Sequence, residues 1–323
     1  MSDVPHRILI TEEGPREGFQ SEPPGIPTID KLRLIDALSR TGLSEIVCAS
    51  FVNVNVLPQM ADAEAIARGV VPRTGVQHLA LWLNRAGFER ASASGLALRA
   101  VVAASASATF LMRNNRRTPA QGLEDQRDLC AAYDAAGLPD GPAFLFTAFG
   151  CNYEGDVPIT TALARLADLI RAVREAGRNV SHIMLCDTVG AANPVLVERL
   201  VSEVRNSWPE LPVGLHLHDT RGLGIANAAA GLRLGVDRFD ASVGGLGGCP
   251  FAGNCSAAGN IATEELVFLC EEMGIETGVD LEALLDAGKV AADVVKHNLS
   301  SRLLAAGSLS RFRSRTENGM LGR

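Results

Sequence analysis

The sequence predicts an α/β fold, a (β/α)8 TIM barrel with a helical C-terminal extension. Short β-branched apolar runs alternate with longer helical stretches, eight such runs follow one another, and no linker or internal repeat divides the 323 residues. Strands alternating with helices imply parallel βαβ units, and eight in roughly 250 residues or more suit a closed barrel. The competing arrangement is a doubly wound open sheet. No GxGxxG follows the first strand, which weakens its dinucleotide-binding version.

Strands are expected at 8–13 (ILITEE), 45–52 (EIVCASFV), 75–82 (GVQHLALW) and 98–106 (LRAVVAASA). They continue at 143–150 (AFLFTAFG), 182–188 (HIMLCDT), 213–219 (VGLHLHD) and 238–244 (RFDASVG). Helices are expected near 29–41, 84–93, 121–136, 160–176, 192–206, 222–235 and 263–273, with a weaker candidate at 58–69. Two further helical stretches, about 280–296 and 298–305, follow strand eight. Residues 1–305 therefore read as one barrel domain with C-terminal helices, and the polar, basic 306–323 as a flexible tail.

Composition narrows the function classes. The chain is 47% hydrophobic and 21% charged with a net charge of −7, an ordinary soluble composition. Basic residues are scattered, so no nucleic-acid footprint is expected. The longest apolar runs are broken by Arg and Ser and are too weak to span a bilayer. The beginning, MSDVPHRILITEEG, does not read as a secretory signal, and MLGR at the end matches no peroxisomal or retention signal. Seven cysteines without a CxxC pair argue against a disulfide framework or a zinc module and for a cytoplasmic, reducing compartment.

Chemistry in a parallel barrel sits at the C-terminal ends of the strands. Strand one ends in EEGPREG with Glu12, Glu13, Arg16 and Glu17, strand six in CDT with Asp187 and Thr188, and strand seven in HLHD. Strand eight runs into GGLGGCPFAGNCSAAGN. Closure would gather these four ends into one site. His216 and His218 alternate on a strand and so share a face. They are two core histidines, a metal clamp or a proton-transfer pair. Two ring nitrogens with a carboxylate, an amide oxygen and open positions suit Mg2+, Mn2+ or Co2+ better than structural Zn2+. Glu17 is a candidate carboxylate, kept ionised by Arg16, although REG can also be a plain turn with a surface ion pair. The glycine-rich loop 244–259 is a flexible connection or a phosphate cradle, and it lacks the Lys and Ser/Thr of a P-loop. Cys249 lies between glycines and a proline and is expected to be accessible. Cys255 could pair with it on oxidation, but a reducing compartment keeps both as thiols. His78, His182 and His297 are assigned to structure.

These residues resemble the 3-hydroxy-3-methylglutaryl-CoA lyase family, metal-dependent TIM-barrel lyases related to homocitrate and isopropylmalate synthases. The resemblance runs from EEGPREGFQSE (12–22) through SFV with PQM (50–60), GCNYEG (150–155), DTVG (187–190), HLHDTRGLGIAN (216–227) and GGLGGCPFA (244–252) to TGVDLEALLDAG (277–288). It implies that Glu17, His216, His218 and the side chain of Asn260 hold a divalent metal. It further implies that Arg16 stabilises an enolate oxygen, that Asp187 assists proton transfer, and that Cys249 is a loop thiol that delivers or accepts a proton. The implied reaction is cleavage of a 3-hydroxyacyl-CoA to acetyl-CoA and an oxo acid by a homodimer. Hydroxymethylglutaryl-CoA is the first substrate expected, with (R)-citramalyl-CoA or another branched analogue second. An acetyl-CoA/2-oxo acid synthase and a non-catalytic CoA- or metal-binding relative are the alternatives. The chain departs from the family pattern in four places. Arg16-Glu17 stands for the usual Arg-Asp, and Val47 for the glutamate of strand two. The loop from Cys249 to Asn260 is about two residues longer, and Pro23 stands where a basic residue that could help hold CoA is common.

Overall fold

The computed structural model describes residues 4–248 and 259–310. Its eight strands are β1 (Leu9–Glu12), β2 (Glu45–Ser50), β3 (Gln77–Leu81), β4 (Val102–Ser105), β5 (Ala143–Phe146), β6 (Ile183–Cys186), β7 (Val213–His216) and β8 (Arg238–Ala241). They form one parallel sheet in the order β3-β2-β1-β8-β7-β6-β5-β4, so the first and last strands are neighbours. β3 and β4 are its ladder edges. The segment leading into β4 closes that gap, because Ala97 donates to the His78 carbonyl at 2.8 Å and accepts from the Ala80 amide at 3.0 Å. The sheet thus curls on itself, as the alternating pattern predicts.

The helices are α1 (Thr28–Leu38), α2 (Ala63–Gly69), α3 (Arg85–Ser92), α4 (Ala108–Asn115), α5 (Pro119–Ala135), α6 (Ile159–Glu175), α7 (Pro194–Ser207), α8 (Gly224–Arg233), α9 (Thr263–Glu272), α10 (Leu281–Val295) and α11 (Arg302–Ala306). Local sequence sets their limits. Thr118 and Gln121 form a reciprocal capping box with Pro119 in the first turn of α5, and Asn193 caps α7 ahead of Pro194. α6 buries Ala162, Leu166, Leu169, Ile170 and Val173, a stripe at helical spacing, against the sheet. Truncating a fully buried leucine such as Leu166 to alanine would cost about 2–5 kcal/mol.

The structure shortens several expected elements. The weak helix at 58–69 divides into a 3-10 turn at Pro58–Met60 and α2. α4, which the apolar periodicity did not suggest, is started by Ser107, whose side chain accepts from the Phe110 amide. β5 stops at Phe146 rather than 150 because Thr147 takes a positive φ of 54°. That conformation is uncommon for a β-branched residue. It is held by four contacts: the Thr147 amide donates to Thr188 Oγ1 at 2.7 Å, and Oγ1 accepts from the Ser107 amide, meets Ser105 Oγ and donates to the Phe146 carbonyl. Residues 306–310 begin the expected tail, and Ser308 there is buried against Glu282.

Candidate active site

The chain leaving β1 makes a wide π-type turn over Gly14–Gly18, in which the amides of Arg16, Glu17 and Gly18 all donate to the Glu13 carbonyl. Gly14 is needed for close approach. A Cβ there would lie 2.6 Å from Glu12 Oε1 and 2.9 Å from Val243 Cγ1. Glu12 itself is fully buried, and its carboxyl accepts from the amides of Gly14 and Val243 at 2.7 and 2.8 Å and from Thr263 Oγ1 at 2.6 Å. Burial pushes its pKa up to about 8 against these three donors. Glu12 thereby ties β1, the loop after β8 and the start of α9 together.

The turn delivers Arg16 and Glu17 side by side. Arg16 is bracketed by carboxylates, with NH2 2.6 Å and Nε 2.8 Å from Glu13 Oε2, and NH1 3.0 Å from Glu17 Oε2. Glu17 continues to the histidines. Its Oε1 lies 3.2 Å from His218 Nε2 and 3.5 Å from His216 Nε2, and the two Nε2 atoms are 3.3 Å apart. Strand pairing explains the convergence. β7 ends at His216, three residues short of expectation, and His218 continues in an extended bridge to Asn260. The two rings therefore keep the shared face that alternation requires. Asp219, next in the chain, turns away and accepts from the Gly224 amide at the start of α8 at 2.7 Å.

Asp240 completes the histidine end. It is level with His216 across the β7–β8 pairing, and its Oδ2 lies 3.1 Å from His216 Nδ1. A carboxylate on Nδ1 keeps a proton on that nitrogen and orients the ring so that Nε2 points at Glu17. Burial opposes a charged His216, yet Glu17 and Asp240 outweigh it and raise its pKa to about 10. Burial likewise works against ionisation of Glu17, but His216 and Arg16 hold its carboxyl well below the usual range.

Glu17, His216 and His218 each offer one ligand atom within 4.8 Å of the others. Asn260 is fully buried beside them, its Nδ2 donating to Glu17 Oε1 at 3.2 Å and to the Leu246 carbonyl at 3.1 Å. Its Oδ1 has no hydrogen-bond partner. A half-turn of the amide would present that oxygen to the point where the other three groups meet. The residues present therefore fit a divalent cation with two imidazoles, a carboxylate and an amide oxygen. Asp187 lies at the end of β6, its Oδ1 accepting from the amides of Ala191 and Ala192 at 2.7 and 3.1 Å while Oδ2 is buried without a partner. Burial raises its pKa, against the opposing pull of His218 and His216.

The structure thus brings together Arg16, Glu17, Asp187, His216, His218 and Asn260. Cys249 and Cys255 lie outside the described residues. The loop that leads to Cys249 is anchored at Gly248, whose carbonyl accepts from Ser21 Oγ at 2.8 Å, and at Gly244, whose amide donates to the buried Glu264 carboxyl. Of the histidines assigned to structure, His78 meets Ser39 Oγ at 2.8 Å, and His182 precedes β6, where burial lowers its pKa to about 4. His297 differs in reaching Glu22, in the segment after β1, at 2.9 Å. Sequence reasoning missed two residues here, Glu13 as a partner of Arg16 and Asp240 as a partner of His216. The strand-eight run RFDASVG carried a usable signal, a carboxylate inside an otherwise apolar or small-residue stretch.

Fold and site together define a class: a parallel α/β barrel enzyme scaffold with a cation-ready cluster and a buried guanidinium where β1, β6, β7 and β8 end. Residues 7–291 match the HMGL-like family model, and the chain belongs to that family. Hydroxymethylglutaryl-CoA lyase of Bacillus subtilis is 41% identical over 300 residues, covering 93% of this chain and 97% of that protein. The crystal structure of the B. subtilis HMG-CoA lyase superposes with a TM-score of 0.86 at 40% identity, over 94% of this chain and 98% of that one. An HMG-CoA lyase from A. baumannii in complex with coenzyme A and 3-methylmalate gives 0.84 at 36% identity, over 94% and 96%. Among the described residues, no helix is long and apolar enough to cross a membrane.

Proposed function

We propose that this chain is a divalent-metal-dependent carbon–carbon lyase that cleaves hydroxymethylglutaryl-CoA to acetyl-CoA and an oxo acid. The observation that carries the proposal is the Glu17–His216–His218 cluster with Arg16 3.0 Å from Glu17, in a chain of this family. Glu17, His216, His218 and Asn260 would hold the cation, with Mg2+ or Mn2+ the first candidates and Co2+ a third. Bound there, it supplies Lewis-acid polarisation and orientation.

The remaining work falls to the chain's own groups. Cleavage begins as the C3 hydroxyl proton is taken by a base, for which the unpartnered Oδ2 of Asp187 is suited. As the C3 oxygen becomes a carbonyl, the electron pair of the C2–C3 bond passes into the thioester, forming an enolate. The Arg16 guanidinium is placed to balance the charge on the enolate oxygen. Protonation at carbon then gives acetyl-CoA, and the Cys249 thiol is the proton donor that the resemblance supplies. Coenzyme A in the A. baumannii structure supports an acyl-CoA substrate.

Residues 1–305 are read as the catalytic domain, α10 and α11 as its C-terminal extension, and 306–323 as a tail. A cytoplasmic homodimer completes the proposal, and the five cysteines among the described residues that are free thiols agree with a reducing compartment. The test is a panel of hydroxymethylglutaryl-CoA, (R)-citramalyl-CoA and other branched 3-hydroxyacyl-CoA esters with Mg2+ or Mn2+, following acetyl-CoA release. Hydroxymethylglutaryl-CoA should be the best substrate. Preference for citramalyl-CoA would move the assignment to that analogue. Cleavage of none of them, with any metal, would overturn the lyase reading.

A further inference from the structure

We propose that Glu13 is the positioning residue for Arg16, a carboxylate carried on β1 in place of the one that strand two lacks at Val47. The pairing of β1 with β2 matches Thr11 to Glu45 and Glu12 to Ile46, so the next step brings Glu13 level with Val47. Thr11 Oγ1 donates to Glu45 Oε2 at 2.8 Å, so these two side chains share a face. Alternation then returns Glu13 and Val47, two residues further along each strand, to that same face. The β8 side agrees, because Thr11 is also level with Asp240, which is level with His216, and Asp240 and His216 touch. The carboxylate therefore stands one strand to the side at the same register, on the same face of the sheet.

Val47 is 2% exposed and apolar, and nothing at its position can bind a guanidinium. Glu13 is 3% exposed, and both Nε and NH2 of Arg16 converge on its Oε2. A buried carboxylate is costly unless paired, and this one has no part in the steps assigned above. Among the described residues, the only other carboxylate bonded to Arg16 is Glu17, which the cation claims. Glu13 thus keeps the guanidinium aimed when Glu17 turns to the metal. The inference rests on the roles proposed above for Arg16 and Glu17, so its test includes a readout independent of turnover.

Four proteins decide it: wild type, Glu13→Gln, Glu13→Val, and Glu13→Val with Val47→Glu. Glu13→Gln should lower kcat for acetyl-CoA release about 10–100-fold, the scale of a misplaced catalytic group, with KM changed by less than about 3-fold. The double variant should regain most of the kcat that Glu13→Val loses. Independently of any substrate, phenylglyoxal should modify Arg16 faster in Glu13→Gln than in wild type, read by peptide mass spectrometry, and at the wild-type rate in the double variant. An unchanged Arg16 modification rate in Glu13→Gln would overturn the inference, even if no acyl-CoA on the panel were cleaved. So would wild-type kcat in Glu13→Gln, or a double variant that melts with wild type yet regains neither property.

Discussion

Glu12 offers a quantitative test of how the mouth of the barrel is held. It is fully buried with a pKa of about 8 against a reference of 4.5, so the folded protein binds a proton there that the unfolded chain releases above pH 4.5. A raised carboxyl stabilises the fold below the unfolded pKa, and that contribution is lost as pH climbs toward the folded pKa, at about 1.4 kcal/mol per unit. Between pH 5 and 7 the loss amounts to about 2.5 kcal/mol. Glu12→Gln removes this dependence. Its amide oxygen can still accept from Gly14 and Val243, while its NH2 faces Thr263 Oγ1. With ~2.1 cal/mol/K per residue of unfolding entropy over the 323 residues, 2.5 kcal/mol corresponds to about 4 °C in Tm. Scanning calorimetry of both proteins at pH 5, 6 and 7 measures the difference directly, since all other titrating groups are shared. The Tm of Glu12→Gln minus that of wild type should rise by about 4 °C from pH 5 to 7. A difference that stays flat would mean that the three donors hold Glu12 ionised, and the reasoning fails.

Three further outcomes are expected. Asp240→Asn leaves a group that can still face His216 Nδ1 but removes its charge, and titration calorimetry should show Mn2+ binding weakened about 10–100-fold with the fold intact. His218→Ala removes a ligand atom, so saturating Mn2+ should no longer raise Tm, whereas about 2.7 kcal/mol of stabilisation is expected in wild type at a hundred times the dissociation constant. Asp187→Asn should reduce kcat about 100-fold or more with little change in Mn2+ affinity, the outcome expected of the proton-transfer role proposed for its unpartnered oxygen.

The barrel was legible because period and punctuation are local properties. Each strand is a short apolar run, and the long helices carry their own stripes and, in several cases, caps, as with Thr118 and Gln121 before α5. The shared face of His216 and His218 was legible for the same reason, since a spacing of two survives the early end of β7 at His216. What stayed hidden depends on register between strands. Nothing in RFDASVG says that Asp240 will be level with His216, and nothing in EEGPREG says which glutamate turns to Arg16. α4 was hidden by composition, its capping Ser107 lying just beyond the small-residue run of β4. Thr147 was hidden because its positive φ is imposed by Ser105, Ser107 and Thr188, which are distant in sequence.

Charge balance explains why these register-dependent residues matter. Glu13, Glu17 and Asp240 act on one guanidinium, that of Arg16, with Asp187 close to the histidines, and such an excess of carboxylates cannot stay fully ionised in a buried place. Without a cation the excess is relieved by protons. Burial raises Glu13 to about 7 and Asp187 above its usual range, and His216 is held charged up to about 10. A divalent cation between Glu17 and the histidines offers the same relief, so it must compete with those protons. Cation binding at pH 8 should therefore release about one proton, chiefly from His216, visible as a dependence of the calorimetric enthalpy on buffer ionisation. Binding should strengthen as pH rises toward 10, because fewer protons remain to be displaced. The same excess makes Glu13 useful to Arg16. With the roles proposed for Glu17 and Arg16, a cation that takes Glu17 leaves Glu13 as the carboxylate that keeps the guanidinium compensated and aimed.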